Sequence, residues 1–61
     1  MWTEVWRDSQ YKIVKFEEHH TWYAVFSVQS TEIAKNQAAG GMLYSTLTGA
    51  MSYIRRLEGN A

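Results

Sequence analysis

The sequence predicts an α+β fold: a three-stranded antiparallel sheet followed by a short helix and a longer C-terminal helix packed on one face. Three observations predict it. Aromatic and β-branched residues dominate the first half of the chain, and Ala, Leu, Met and polar helix formers dominate after Ser30. Polar turn formers separate the aromatic stretches, and apolar residues near the C-terminus recur at helical spacing. The 61 residues form a single small domain, 1–61.

Three strands are predicted, over residues 2–7, 11–17 and 21–29. The segment 7–10 and the segment Glu18-His19-His20 supply the turns between them. The third strand is the strongest because nearly all of its large residues are sheet formers. Those residues are Trp22, Tyr23, Val25, Phe26 and Val28.

Two helices are predicted after the strands. The first covers about 31–39, with Ser30 as its N-cap and Gly40-Gly41 as its end. The second covers about 45–58, and Gly59 ends it. One apolar stripe marks this second helix and should cover the sheet. Its members are Leu43, Leu47, Ala50, Met51, Ile54 and Leu57.

Alternation of side chains along the strands divides the sheet into two faces. If Phe16 lies opposite Trp22 and Val14 opposite Ala24, the connection between the second and third strands has an odd number of residues, such as 18–20, or is one residue longer with a bulge. A two- or four-residue first turn then places Thr3 and Val5 on the same side of the sheet as Val14. We call this predicted core side the Val14 face and expect the helix stripe to cover it. It collects Met1, Val5, Val14, Phe16, Trp22, Ala24, Phe26 and Val28.

The opposite side, the Ile13 face, is also apolar. It collects Trp2, Glu4, Trp6, Tyr11, Ile13, Lys15, Tyr23 and Val25. An exposed aromatic patch of this kind is expected to be a binding or assembly surface. Three explanations stay open: the short helix covers this face, a second copy covers it, or a foreign partner does. The predicted interface residues are Trp2, Trp6, Tyr11, Ile13, Lys15, Tyr23 and Val25.

Catalytic and metal chemistry have little support in the sequence. The chain has no Cys, so it has no disulfide and no thiolate metal site. The cluster from Glu17 to His20 has ligand residue types, but adjacent histidines on an extended segment point to opposite sides. We predict a solvated turn there, no metal, no cofactor and no enzymatic activity. An enzyme built across subunits with His19 or His20 remains the third hypothesis.

The charge balance argues against long nucleic acids. Six basic and six acidic residues give a formal net charge of zero, so we expect no binding of long duplex DNA. A small nucleotide or a short single strand needs less positive charge and could stack on the aromatic residues. The residues predicted to contact such an anion are Gly40, Gly41, Ser45, Thr46, Arg55 and Arg56.

The leading functional prediction is a non-catalytic binding or inhibitor module that forms a homo-oligomer. Small size and a second apolar face are typical of the small binding proteins that phages and mobile elements encode. The predicted partner is a second copy, with a host protein or a small nucleotide as further candidates. The longest nearly uncharged stretch, 21–30, is far shorter than the roughly 20 apolar residues of a membrane span. We therefore expect no membrane association and a cytoplasmic location.

Overall fold

A computed structural model describes residues 1–59 and confirms the α+β class and the three-stranded antiparallel sheet. The strands follow the predicted positions closely, with the third ending two residues early. Two 3-10 turns and one α-helix follow them. The elements are β1 (Trp2–Arg7), β2 (Tyr11–Glu17), β3 (Thr21–Ser27), the 3-10 turns Lys35–Gln37 and Ala39–Gly41, and α1 (Leu47–Gly59).

The strands lie in the order β1-β2-β3, so β2 is central. The predicted pairing of β2 with β3 is confirmed, with Phe16 opposite Trp22 and Val14 opposite Ala24. Glu17 pairs with Thr21, which leaves the predicted three-residue connection 18–20. The alternation of side chains was therefore enough to fix this half of the sheet.

The predicted register of β1 is wrong in its first half because the strand contains a β-bulge. Trp6 lies opposite Ile13, on the face predicted for both, but Glu4 lies opposite Val14, and Val5 is the extra residue between them. One extra residue exchanges the faces of everything before it. Trp2 and Glu4 therefore belong to the Val14 face, and Trp2 and Trp6 lie on opposite sides of the sheet.

The helix covers the face opposite to the one predicted. The buried side chains of α1, Ala50 and Ile54, pack with Ile13 and Val25 of the sheet, and all four are buried almost completely. Thr46 caps this helix, since its Oγ1 accepts a hydrogen bond from the Gly49 amide at 3.1 Å. Among residues 1–59, no helix has the length and apolar character needed to cross a bilayer.

The Val14 face is covered by the irregular segment 28–43. Ile33, Ala38 and Leu43 pack against the cluster of Val14, Phe16, Ala24 and Phe26. The predicted helix over 31–39 does not form, and only the two 3-10 turns interrupt the extended chain. The Ser30 hydroxyl donates to the Glu32 carbonyl at 3.1 Å instead of capping a helix.

Two physical causes explain the missing helix. A segment this short is marginal as a helix without an amphipathic face to bury, and its apolar residues lack helical spacing. The buried Lys12 also favours a non-helical backbone at the start of this segment, because its ammonium donates a hydrogen bond to the Ser30 carbonyl at 3.0 Å.

Two carboxyl groups, Asp8 in the β1–β2 turn and Glu58 near the end of α1, shift each other's pKa. Asp8 Oδ1 accepts hydrogen bonds from the amides of Tyr11 at 2.7 Å and Gln10 at 2.8 Å. The Tyr11 amide, then the Glu58 carboxyl and the Gln10 amide, hold the pKa of Asp8 below its usual value. The hydrogen bond to Asp8, with some desolvation, raises the pKa of Glu58. The two groups thus favour opposite protonation states.

This pair predicts a pH-dependent effect of Glu58→Gln. Folding lowers the Asp8 pKa, so ionised Asp8 stabilises the fold above its unfolded pKa and loses this effect as the pH falls through the folded value. Folding raises the Glu58 pKa, so protonated Glu58 stabilises the fold in acid and loses this effect as the pH rises through its folded value. At neutral pH two carboxylates repel each other, and Glu58→Gln should raise the free energy of unfolding.

Urea denaturation at neutral and mildly acidic pH checks this prediction. The increase in the free energy of unfolding from Glu58→Gln should disappear in acid, where protonated Glu58 already donates a hydrogen bond to Asp8. The control is Glu32→Gln, a change at an exposed carboxylate outside the pair. An equal effect of Glu58→Gln at both pH values would contradict the assignment.

Candidate binding surface

The two edges of the sheet differ in what covers them. On the outer edge of β3, Tyr44 forms an isolated bridge with Tyr23, donating to its carbonyl at 2.8 Å and accepting from its amide at 2.7 Å. Farther along this edge, Val25 is completely buried, and the Ser27 carbonyl accepts from the Ser30 amide at 3.0 Å. The chain itself therefore closes much of the β3 edge.

The outer edge of β1 is open in the described residues 1–59, where no strand pairs with it. The Glu17 amide donates to the Met1 carbonyl at 3.1 Å, and the Asp8 amide donates to the Tyr11 carbonyl at 2.8 Å. Antiparallel pairs alternate between bonded and non-bonded. The backbone N–H and C=O groups of Trp2, Glu4 and Arg7 therefore point away from β2, and unpaired edge groups are a template for another strand. We call this row of groups the β1 edge.

The side chains along the β1 edge are also exposed. Trp6, at the margin of the cluster beneath α1, is the least exposed residue of this strand, and the other five are exposed. Met1 is 93% exposed, Trp2 is 50% exposed and Val5 is 38% exposed. Large apolar side chains thus accompany the free backbone groups, which is the composition expected of a contact surface.

An aromatic row crosses one end of the Val14 face. Trp2 lies opposite Phe16, and Phe16 lies opposite Trp22, so the three side chains stand side by side on neighbouring strands. His20 packs edge-on against Trp22, with ring centroids 6.1 Å apart. Phe16 is buried and Trp22 half-buried. Trp2, at the open edge, is the part of the row that remains available for contact.

One ion pair lies along the β1 edge. The Arg7 guanidinium binds the Glu4 carboxylate in a two-point geometry, with Nε–Oε2 at 3.0 Å and Nη2–Oε1 at 2.8 Å. The Arg7 hydrogen bond lowers the pKa of Glu4, and the Glu4 carboxylate raises the pKa of Arg7. Both groups are therefore charged at neutral pH, and both lie on solvent-exposed positions.

The seven residues of the predicted binding face do not form one exposed surface. Ile13 and Val25 are completely buried beneath α1, and Trp2 lies on the other side of the sheet. The structure thus selects the explanation in which the chain covers its own Ile13 face, with α1 in place of the short helix. Trp6, Tyr11 and Tyr23 are partly buried at the margin of this cluster. Lys15 approaches Glu17 at 3.6 Å.

The predicted anion contacts are not brought together. Gly40 and Gly41 form a tight turn, and the side chain next to Gly40 is that of Tyr53. Ser45 and Thr46 precede α1, whereas Arg55 and Arg56 lie about 13 Å farther along its axis at 1.5 Å per residue. The Thr46 hydroxyl is already used as the helix cap.

The remaining basic residues are engaged in contacts within the chain. Lys35 binds Glu18 at 2.7 Å, Arg7 binds Glu4, and Lys12 is buried against a carbonyl group. In residues 1–59 no three His, Cys, Asp or Glu side chains are grouped closely enough to hold a metal ion. These contacts leave the β1 edge as the surface that the structure marks most clearly.

Sequence reasoning missed two residues that define this surface. Tyr44 closes the β3 edge, and the extended stretch of Met42, Leu43 and Tyr44 after two glycines was the available signal for it. Val5 forms the bulge that moves Trp2 to the Val14 face, and nothing in its local sequence marks it.

Comparisons with known proteins add no relative. No protein-family model, no curated protein and no solved structure matches the chain. The β1 edge is therefore the feature of the chain that points to a function.

Proposed function

We propose that the protein is a non-catalytic binding module that assembles with itself through the β1 edge. The supporting observation is the contrast between the two sheet edges. Tyr44 closes the β3 edge, while the β1 edge presents free backbone groups and the exposed side chains of Trp2 and Val5. Strand addition at such an edge uses main-chain hydrogen bonds for affinity and side chains for specificity.

The size of the chain supports assembly as well. A domain of about 60 residues buries only about 60% of its unfolded surface and is marginally stable alone. Joining two sheets edge to edge would pair the free groups of β1 and shield Trp2. The bulge at Val5 interrupts the edge, and bulges limit unselective strand pairing. It should therefore restrict which strand can bind.

The other predicted functions have less support than self-assembly. Binding of a small nucleotide would use the exposed ring of Trp2, but Arg7 and Lys35 are already paired with carboxylates of the chain. A host-protein partner, an inhibitory role, a viral origin and a cytoplasmic location stay predictions.

Sedimentation equilibrium of the synthetic protein tests the proposed function. N-methylation of the Glu4 amide removes one outward donor and leaves the pairing of β1 with β2 intact. The unmodified protein should show a concentration-dependent rise to a discrete oligomer. The modified protein should need at least about 10-fold higher concentration to reach the same degree of assembly. Loss of a paired hydrogen bond costs roughly 0.5–1.5 kcal/mol, and the added methyl group obstructs the edge.

The matched control is N-methylation of the Val25 amide, which lies on the same kind of outward position but on the covered β3 edge. It should change stability without a specific effect on association of the folded fraction. A folded monomer at every concentration up to millimolar would overturn the proposal, as would an oligomer that is unaffected by the change at Glu4.

A further inference from the structure

We propose that two copies pair their β1 strands antiparallel about a two-fold axis, with Glu4 of each copy opposite Arg7 of the other. This inference rests on the proposed function and names both its partner, a second copy, and the register of the contact. The product is a continuous six-stranded sheet whose central pair is β1 with β1. A two-fold interface requires a self-complementary surface, and the β1 edge has one.

The backbone supplies the first part of the complementarity. Glu4 and Arg7 both direct their N–H and C=O groups away from β2, although three positions separate them. The bulge at Val5 makes this possible, because its extra residue turns a spacing of three into an effective spacing of two. In an antiparallel pair about an axis between them, Glu4 and Arg7 exchange both backbone hydrogen bonds, and the symmetry repeats the exchange.

Charge selects this register over the alternatives. Placing Glu4 opposite Glu4 of the second copy would juxtapose like charges at the axis, which destabilises a cross-strand pair. Placing Trp2 opposite Glu4 leaves both charges without a partner in the second strand. With Glu4 opposite Arg7, opposite charges meet twice, and each can keep its bond within its own chain. A four-charge network then spans the axis.

The register also gives the exposed apolar side chains a contact. Trp2 of each copy extends beyond the paired residues toward the 8–10 turn of the other copy. Its half-exposed ring would lie against that turn instead of water. The apolar flank and the charged centre therefore both contribute to one interface.

Charge-exchange variants test the pairing. Glu4→Arg alone and Arg7→Glu alone each put like charges opposite one another. Each should lower the self-association constant, measured by sedimentation equilibrium, at least about 10-fold. Mixing the two variants in equal amounts should restore a 1:1 dimer close to the affinity of the unmodified protein. The double variant E4R/R7E should restore the homodimer.

The mixture is the decisive arm because neither variant regains its intrachain ion pair on mixing. Circular dichroism of each variant establishes that it is folded, and the milder Glu4→Gln serves as a second test. Glu4→Gln should weaken the dimer in the proposed register and would strengthen it if Glu4 faced itself. Strengthening by Glu4→Gln, or no recovery in the mixture, would overturn the register.

The outcomes separate this inference from the proposed function. If the protein assembles and N-methylation of Glu4 prevents it, but the charge-exchange mixture fails to recover, the register is wrong and edge assembly stands. If the unmodified protein does not assemble, both are wrong.

Discussion

Replacing Ile54 with Ala will lower the free energy of unfolding by about 2–5 kcal/mol, the range for truncating a fully buried Ile. Ile54 is 1% exposed and packs from α1 against Ile13 and Val25, which are completely buried. Truncation would leave a cavity between a rigid sheet and the middle of the helix, where the chain cannot collapse easily. Chemical denaturation monitored by Trp fluorescence measures the loss.

Leu57→Ala is the matched control on the same helix. Leu57 is 37% exposed, and Ala has the better helix propensity, so we expect a loss of at most about 1 kcal/mol. Losses of similar size at both positions would contradict the orientation of α1.

Gly40→Ala should be the most damaging change in the segment between the sheet and α1. Gly40 has φ 73°, a left-handed conformation that costs L-residues about 1–2 kcal/mol. A Cβ atom there would also lie 2.5 Å from the Tyr53 hydroxyl oxygen and 3.0 Å from its ring. Overpacking of this kind adds about 1–3 kcal/mol. Thermal or urea denaturation measures the combined loss.

Gly41→Ala separates the two causes. Gly41 has φ 67°, but an added Cβ there meets nothing within 4 Å, so only the conformational cost remains. Tyr53→Phe removes the hydroxyl oxygen and should reduce the cost of Gly40→Ala. Equal losses for the two glycines, with no relief from Tyr53→Phe, would show that the contact with Tyr53 does not contribute.

The sheet was predictable where one local pattern decides the structure. Pairing of β2 with β3 followed from alternation and from the length of the connection, because a slip by one residue would move Val14 and Phe16 to the wrong face. The bulge was not predictable in the same way. A single extra residue in an exposed edge strand leaves the composition of the strand unchanged, yet it moves the Trp2 side chain to the other face of the sheet.

The helix face could not be chosen from the sequence because both sides of the sheet are apolar. The stripe around Ile54 shows that α1 has a buried side, but it does not show which side of the sheet receives it. The segment 28–43 is a second case. Ile33, Ala38 and Leu43 bury their side chains from irregular backbone, which has no period to recognise.

The candidate surface was anticipated in kind and misplaced in detail. An apolar, aromatic contact surface was predicted, and half-exposed Trp2 belongs to the one described here. The other predicted members, Ile13 and Val25 above all, are covered by α1. Whether a face is free depends on long-range packing, so the open edge became visible only with the arrangement of the whole chain.

Residue-resolved amide hydrogen exchange tests the open β1 edge most directly, in a dilute and in a concentrated sample. In the dilute monomer the amides of Glu4 and Arg7 should exchange rapidly, while the Thr3 amide, on a residue paired with Lys15 of β2, and the Tyr23 amide, bonded to Tyr44 at 2.7 Å, stay protected. At high concentration Glu4 and Arg7 should become protected. If they are protected in the monomer, or exchange rapidly in an assembled oligomer, the β1 edge is not the binding surface.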